Sequence, residues 1–108
     1  AKIRSIRAIG HAADQGQLEP GRVMRMDHVD RTACLTKIPG IGPWTADMTG
    51  IFYCGDPDIW PDGDLVARRT LQLLVGKRSS TVRVASTFSP WRSRLAMSMW
   101  RAVDQGLL

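Results

Sequence analysis

Leu35-Thr36-Lys37-Ile38-Pro39-Gly40-Ile41-Gly42-Pro43-Trp44-Thr45-Ala46 is the stretch on which the reading of this chain turns. Apolar-periodic segments run into it and out of it. Pro39 has no backbone N–H and biases Ile38 away from helical dihedrals, so a helix must stop there. Gly40 and Gly42 permit positive φ and let another molecule approach the bare backbone. Pro43 suits the first turn of a new helix. The unit therefore reads as helix, tight hairpin, helix. Peptide N–H groups of the hairpin and of the second helix's start, beside Lys37, suit an anion, and phosphate before others. A lone Gly-x-Gly would equally serve an ordinary corner whose glycines only permit the bend.

The chain has 108 residues, enough for one domain with a modest core. Apolar residues make up 44% and charged residues 23%, ordinary values for a globular protein. Lys and Arg number 15 against 10 acids, for a net charge of +5 and a pI near 10.0. That balance points to an anionic partner, nucleic acid first, although a merely basic surface would carry the same charge. No apolar run approaches the length of a membrane span, and the start lacks a signal peptide's apolar core, so a cytoplasmic protein is expected. Cys34 and Cys54 each sit in a helical pattern and read as buried reduced thiols. Two cysteines cannot ligate a four-cysteine iron–sulfur cluster. His11 and His28 share no metal-like spacing with them.

The remaining pattern is helical throughout. Residues 1–15 place Ile3, Ile6 and Ile9 on one side, with Gly16 as the stop. With neither an initiator methionine nor a capping residue ahead of it, this helix reads as part of a longer protein. A short helix over about 19–26 carries Pro20 near its start. Asp27 caps the next, which runs to about Lys37 and packs through Val29, Ala33, Cys34 and Ile38. Residues 44–54 follow the hairpin, with Trp44, Met48, Ile51 and Phe52 on a buried stripe and Gly55 as the end. The loop 55–63 is rich in Gly, Pro and Asp and cannot continue either helix. A helix from Leu65 to about Val75 shows Leu65, Leu71 and Leu74 on its apolar side and ends at Gly76. Ser80 or Thr81 starts a short helix to about Phe88. Pro90 opens a long final helix with Trp91, Leu95, Met99 and Val103 at helical spacing. No strand-like alternation survives, so the fold class is all-α.

Trp60-Pro61-Asp62-Gly63-Asp64-Leu65-Val66-Ala67-Arg68-Arg69 is the second informative stretch. It sets a carboxylate at the start of a helix directly after a short loop. Taken alone, Asp64 reads as a helix N-cap worth about 1 kcal/mol. The acids Asp56, Asp58, Asp62 and Asp64 do not form a calcium loop. Trp60 and Pro61 fall where an EF-hand needs a ligand and its glycine, and no glutamate closes the run.

Three separated blocks together resemble DNA glycosylases of the helix-hairpin-helix superfamily, most of all the 3-methyladenine DNA glycosylase II branch. The first is Pro39-Gly40-Ile41-Gly42-Pro43-Trp44-Thr45-Ala46. The second is the Gly/Pro loop over 55–63 leading to Asp64, which matches the family's Asp-Leu-x-x-x-Arg run better than its neighbour Asp62. The third is Ser89-Pro90-Trp91-Arg92-Ser93 with Trp100 further along, similar to the branch's Arg-Pro-Trp-Arg-Ser…Trp run. The resemblance covers about residues 1–103 and matches the C-terminal part of the family's catalytic unit, with the hairpin at 38–43 and the loop and catalytic Asp within 55–64. Two departures stand out: Gly63 where the family more often has a second Asp, and Met48 where it can place a tyrosine.

The resemblance implies a monofunctional enzyme of base excision repair that hydrolyses the N-glycosidic bond of alkylated purines in double-stranded DNA, acting as a monomer in the bacterial cytoplasm. Asp64 would be catalytic, stabilising the positive charge that develops on the sugar. Such a preorganised group is typically worth about 3–4 kcal/mol, and a helix N-terminus favours its charged form. Trp44, Trp100 and Met48 would line the base pocket, where cation–π contact with a cationic methylated base is worth about 2 kcal/mol when desolvated. Trp91 would be structural. Gly40, Ile41, Gly42, Trp44, Thr45 and Lys37 would hold phosphate. The carbonyls of Thr36, Ile38 and Ile41 would hold a monovalent cation, and no other cofactor is implied. A lysine at position 44 would signal a Schiff-base lyase, and Trp44 cannot form one. The alternative reading is a helix-hairpin-helix DNA-binding module without catalysis, its Asp64 only a cap.

Overall fold

The computed structural model describes residues 11, 12, 14–16 and 19–107, and the helix expected over 1–15 lies mostly outside them. Its described end closes with the Gln15 N–H on the His11 carbonyl and Gly16 at φ +74°. The chain divides into two compact units, Ala1–Gly55 and Asp56–Leu108. Among the described residues every regular element is a helix, and none is long and apolar enough to cross a membrane.

In the first unit, α1 spans Pro20–Arg25 and α2 His28–Leu35. Asp27 caps α2, its carboxylate accepting the Asp30 N–H at 2.8 Å. The buried stripe of α2 differs from the expected one. Val29 is 77% exposed and Ala33 is exposed, whereas Arg31 and Leu35 are buried. Arg31 reaches back to α1, donating from Nε to the Val23 carbonyl (3.2 Å) and from Nη2 to that of Met26 (2.8 Å). A charged side chain is thus buried by bonding carbonyls at the end of α1, that of Val23 also accepting the Met26 N–H at 3.4 Å. Cys34 and Cys54 are both free thiols and only partly buried.

The hairpin follows. Ile41 donates its N–H to the Ile38 carbonyl at 3.0 Å, and Gly40 sits at φ +89°. Proline at the second position and positive φ at the third are the marks of a type II turn. Gly42 is extended (φ −99°) and caps α3, which spans Pro43–Met48. A π-helical turn, Thr49–Tyr53, continues α3. Each π turn holds more residues than an α turn and rotates the buried face. Ala46, Gly50 and Ile51 face inward, whereas Trp44 (49% exposed) and Phe52 (64%) lie outside the stripe expected for them. Gly55 at φ +65° ends the turn. Ala12, Leu35, Ile38, Ile41 and Ala46 form the core of this unit, and His28 Nε2 meets Asp47 Oδ1 at 2.9 Å between α2 and α3.

In the second unit, α4 spans Leu65–Val75, α5 Thr81–Ser86 and α6 Arg92–Asp104. Their core is Trp60, Ala67, Leu71, Ala85, Leu95, Ala96 and Met99, flanked by Val84 and Trp100. Ala67, Ala85 and Ala96 are fully buried, and their small side chains let the helices approach closely. Leu65 and Leu74 are therefore outside, and Thr70 joins Ala67 and Leu71 on the buried side of α4. Leu95 and Met99 are buried as expected, but Val103 is 40% exposed. Pro90 follows a cis peptide bond and precedes α6 instead of opening it; Trp91 is the N-cap. Trp91 is 52% exposed with the Arg94 guanidinium over its ring at 5.1 Å, so it is a surface stacking partner and no part of the core.

The two hairpin glycines make opposite predictions. An L-residue at Gly40 must occupy a left-handed conformation that costs about 1–2 kcal/mol, so Gly40→Ala should lower stability in chemical denaturation by that amount. A Cβ at Gly42 meets nothing within 4 Å, so Gly42→Ala should leave the denaturation midpoint unchanged.

Candidate functional site

The carboxylate at the head of α4 is positioned by the loop before it. Its Asp58 carboxylate accepts from Arg92 Nε at 2.7 Å, from the Arg92 backbone N–H at 3.3 Å and from the Ser89 hydroxyl at 2.6 Å. Arg92 Nη2 returns a bond to the Asp58 carbonyl at 3.0 Å. Ser93 closes the same seam. Its hydroxyl donates to the Asp56 carbonyl (2.7 Å) and accepts the Ile59 N–H (3.0 Å), while its own N–H donates to the Pro57 carbonyl (3.0 Å). Ile59 and Ser93 are almost fully buried, so these bonds are shielded from water. The Arg92 side chain, with help from Ser89 and the Arg92 backbone N–H, holds the Asp58 carboxyl down at about 2 against burial's opposing push.

Asp62 and Asp64 have separate tasks. Asp62 Oδ1 accepts from Trp60 Nε1 at 2.9 Å and from the Thr81 hydroxyl, which ties the loop to the start of α5. The Asp64 N–H bonds to the Pro61 carbonyl at 2.8 Å and finishes the turn. Asp64 Oδ2 then accepts two N–H groups, from the Ala67 backbone at 2.9 Å and from the Trp100 indole at 2.8 Å. Two donors on one oxygen suit a carboxylate that must carry charge in a fixed position. Gly63 leaves the loop anchored on both sides, and a Cβ there would meet nothing within 4 Å.

The structure thus brings Asp64 and Trp100 together, as members of the second unit. Trp44 and Met48 belong to the first, Trp44 half exposed and Met48 partly buried on α3. At the hairpin, the Ile41 N–H is committed within the turn and its side chain is buried. Lys37 and Gly40 are exposed; Gly42 and Thr45 are partly so. The first N–H groups of α3 lack intrahelical acceptors by geometry. Sequence reasoning passed over Asp58, Ser89, Arg92 and Ser93 as working residues. Their signal was the Ser89-Pro90-Trp91-Arg92-Ser93 block itself, whose polar members are the loop's partners. No group of three or more His, Cys, Asp or Glu among the described residues is arranged to hold a metal ion.

A helix–turn–helix hairpin followed by an Asp-headed helix, with an indole on the carboxylate, is the arrangement that resembles the helix-hairpin-helix glycosylases. Comparison with known proteins supports the resemblance. No family model matches the chain. Over 73 residues it is 37% identical to a Mycobacterium tuberculosis protein named probable bifunctional transcriptional activator/DNA repair enzyme AlkA, covering 65% of this chain and 14% of that one. It is 28% identical over 109 residues to DNA-3-methyladenine glycosylase 1 of Schizosaccharomyces pombe, covering 93% of this chain and 46% of the relative. A DNA-3-methyladenine glycosylase of Bacillus subtilis is 24% identical over 107 residues, covering 94% and 35%. The chain spans less than half the length of each of these relatives. By sequence it is similar to part of each of these proteins, two of which are named DNA-3-methyladenine glycosylases.

The Asp58 seam has a signed pH signature. Its folded pKa of about 2 lies below the ordinary 3.8, so the stabilisation is complete above about pH 4 and disappears as pH falls through about 2. Asp58→Asn should melt lower than the parent at neutral pH, with the gap closing in acid when melting temperature is followed against pH. A gap that persisted at pH 2 would show that the charge is not what holds the loop.

Proposed function

We propose that this chain carries the catalytic carboxylate of a monofunctional DNA glycosylase that removes alkylated purines of the 3-methyladenine type from double-stranded DNA. The observation that carries the reading is the Trp100 indole N–H on Asp64 Oδ2 at the head of α4. It fixes a carboxylate beside an aromatic ring, the two groups that a cationic base on a deoxyribose needs. The names of the relatives, DNA-3-methyladenine glycosylases and a DNA repair enzyme, supply the substrate class.

The chemistry follows from charge. When the N-glycosidic bond breaks, its electron pair goes to the cationic purine, which leaves neutral and needs no protonation. Positive charge develops on the sugar, and Asp64 stabilises it as a fixed anion. Water then adds to the anomeric carbon and loses its proton to solvent; because the leaving base needs no proton, the acid carboxyl of ordinary glycoside hydrolysis is unnecessary. A base inside a duplex must first be flipped out to be reached. The Trp100 ring walls the pocket, and its N–H aims the carboxylate. By position in the family, Trp44 and Met48 contribute to base binding. The hairpin holds phosphate through Gly40, Gly42, Thr45 and Lys37. The carbonyls of Thr36, Ile38 and Ile41 suit a hard monovalent cation, since each carbonyl has two lone pairs and the Ile41 N–H takes only one from Ile38. Such a cation would neutralise phosphate charge at the hairpin. The enzyme would act as a monomer in the cytoplasm.

One observation favours the non-catalytic reading. Asp64 Oδ2 also accepts the Ala67 N–H, as any N-capping aspartate does. Release of methylated purines from alkylated DNA, by the full-length protein and its Asp64→Asn variant, separates the two. A loss of about 3–4 kcal/mol of transition-state stabilisation predicts a rate lower by about 10²–10³-fold with DNA affinity retained. If neither protein releases bases and both bind DNA equally, the binding-module reading wins.

A separate prediction concerns the hairpin. Because a Cβ at Gly42 meets nothing within 4 Å, Gly42→Arg should fold with an unchanged melting temperature yet lose most of its affinity for duplex DNA in a fluorescence titration. Undiminished affinity would remove the hairpin from the interface.

A further inference from the structure

Charge is distributed very unevenly along the second unit. From Leu65 to Val103 there are seven arginines and one lysine and not one Asp or Glu. Arg92 is taken by Asp58. On the outward side of α6, Arg94, Met97, Ser98 and Arg101 line a cleft of about 220 Å³. This side is turned away from Ser93, Ala96 and Met99, which are buried in the core, and from Trp100, which meets Asp64. The cleft is therefore no part of the base pocket. Arg94 is held in place, its guanidinium lying over the exposed Trp91 ring at 5.1 Å. Asp104, three residues beyond Arg101, makes no ion pair with it among the described residues.

We propose that this face of α6 is a second contact for the phosphate backbone of duplex DNA, independent of the hairpin. Arg94 and Arg101 lie seven residues apart, about 10 Å along the helix. That separation lets the two guanidinium groups meet two separate phosphates of the backbone. Ser98 lies between them with its hydroxyl donated to the Arg94 carbonyl at 2.9 Å, so the two guanidinium groups are the donors this face offers. Arginine supplies a planar fork of donors that matches phosphate oxygens. Neither arginine reads sequence here; each neutralises backbone charge and releases counterions. Stacking on the Trp91 ring restricts Arg94, which lowers the entropy cost of ordering that side chain on binding. The occupant, duplex DNA, rests on the glycosylase reading; the cationic face does not.

The test is the salt dependence of binding to undamaged duplex DNA by the full-length protein and by Arg94→Gln/Arg101→Gln. Both side chains line a surface cleft, and a melting curve checks that the variant remains folded. Each lost phosphate contact reduces the slope of log K against log salt by about 0.9, so the double variant should lose about 1.8. Between about 50 and about 200 mM salt the parent should then lose about 12-fold more affinity than the variant. An unchanged slope overturns the proposal. So does an unchanged slope with lost binding to poly-glutamate, which would assign the face to an acidic protein. Failure here differs from failure of the enzymatic reading: full base release by Asp64→Asn would overturn that reading and leave the slopes as measured.

Discussion

The Asp58–Arg92 ion pair, with Ser93 beside it, is the constraint from which the geometry of the second unit follows. A loop rich in glycine, proline and aspartate would ordinarily sample many conformations, and whatever heads the next helix would wander with it. Here Pro57 and Pro61 reduce the conformations the loop could adopt unfolded. The charged and hydroxyl groups at the start of α6 then select one of them. A single exposed ion pair contributes little. This one is part of a network that satisfies a carboxylate, three backbone carbonyls and a buried N–H together. Removing one member strands the others, and that interdependence gives the seam its stiffness.

The same network explains why the block at 89–93 has its composition. Read as sequence, Ser-Pro-Trp-Arg-Ser suggests a helix start and a packed tryptophan. In three dimensions the tryptophan is a surface ring under Arg94, and the polar residues do the anchoring. Asp64 shows the complementary economy. Capping the helix and receiving the Trp100 indole use the same oxygen, so the backbone N–H that a helix leaves unsatisfied at its first turn also aims the carboxylate. Loss of Asp64 charge would therefore disturb the local helix start less than loss of its oxygen. An amide is the informative replacement because it keeps an acceptor there.

What was legible in the sequence was punctuation. Asp27, Asp64 and Ser80 accept N–H groups of the helices they head, and Gly16, Gly55 and Gly76 adopt positive φ where segments end. These are local decisions made by one residue's stereochemistry, so one residue suffices to read them. Facing was less legible. Val29, Phe52, Leu65 and Leu74 are apolar and exposed, while Arg31, Thr70 and Ser93 are polar and buried. A helical wheel assumes that hydrophobicity chooses the buried side. In this chain, close helix approach chose alanines, and hydrogen bonds to backbone carbonyls drew in Arg31 and Ser93. The π turn after Met48 compounds the error, since nothing in Thr49–Tyr53 announces the extra residue that rotates the face.

Gly40 and Gly42 look equivalent in the sequence and differ in physics. Gly40 is required by the backbone, because only a residue without Cβ enters φ +89° without strain. Gly42 is extended, as any residue could be, and its surroundings leave room for a side chain. Folding therefore gives no reason for a glycine at 42. What glycine uniquely provides there is a bare backbone at the start of α3, next to first-turn N–H groups without intrahelical acceptors. The glycine at 40 is therefore set by the turn, whereas the one at 42 is set by nothing in the fold around it.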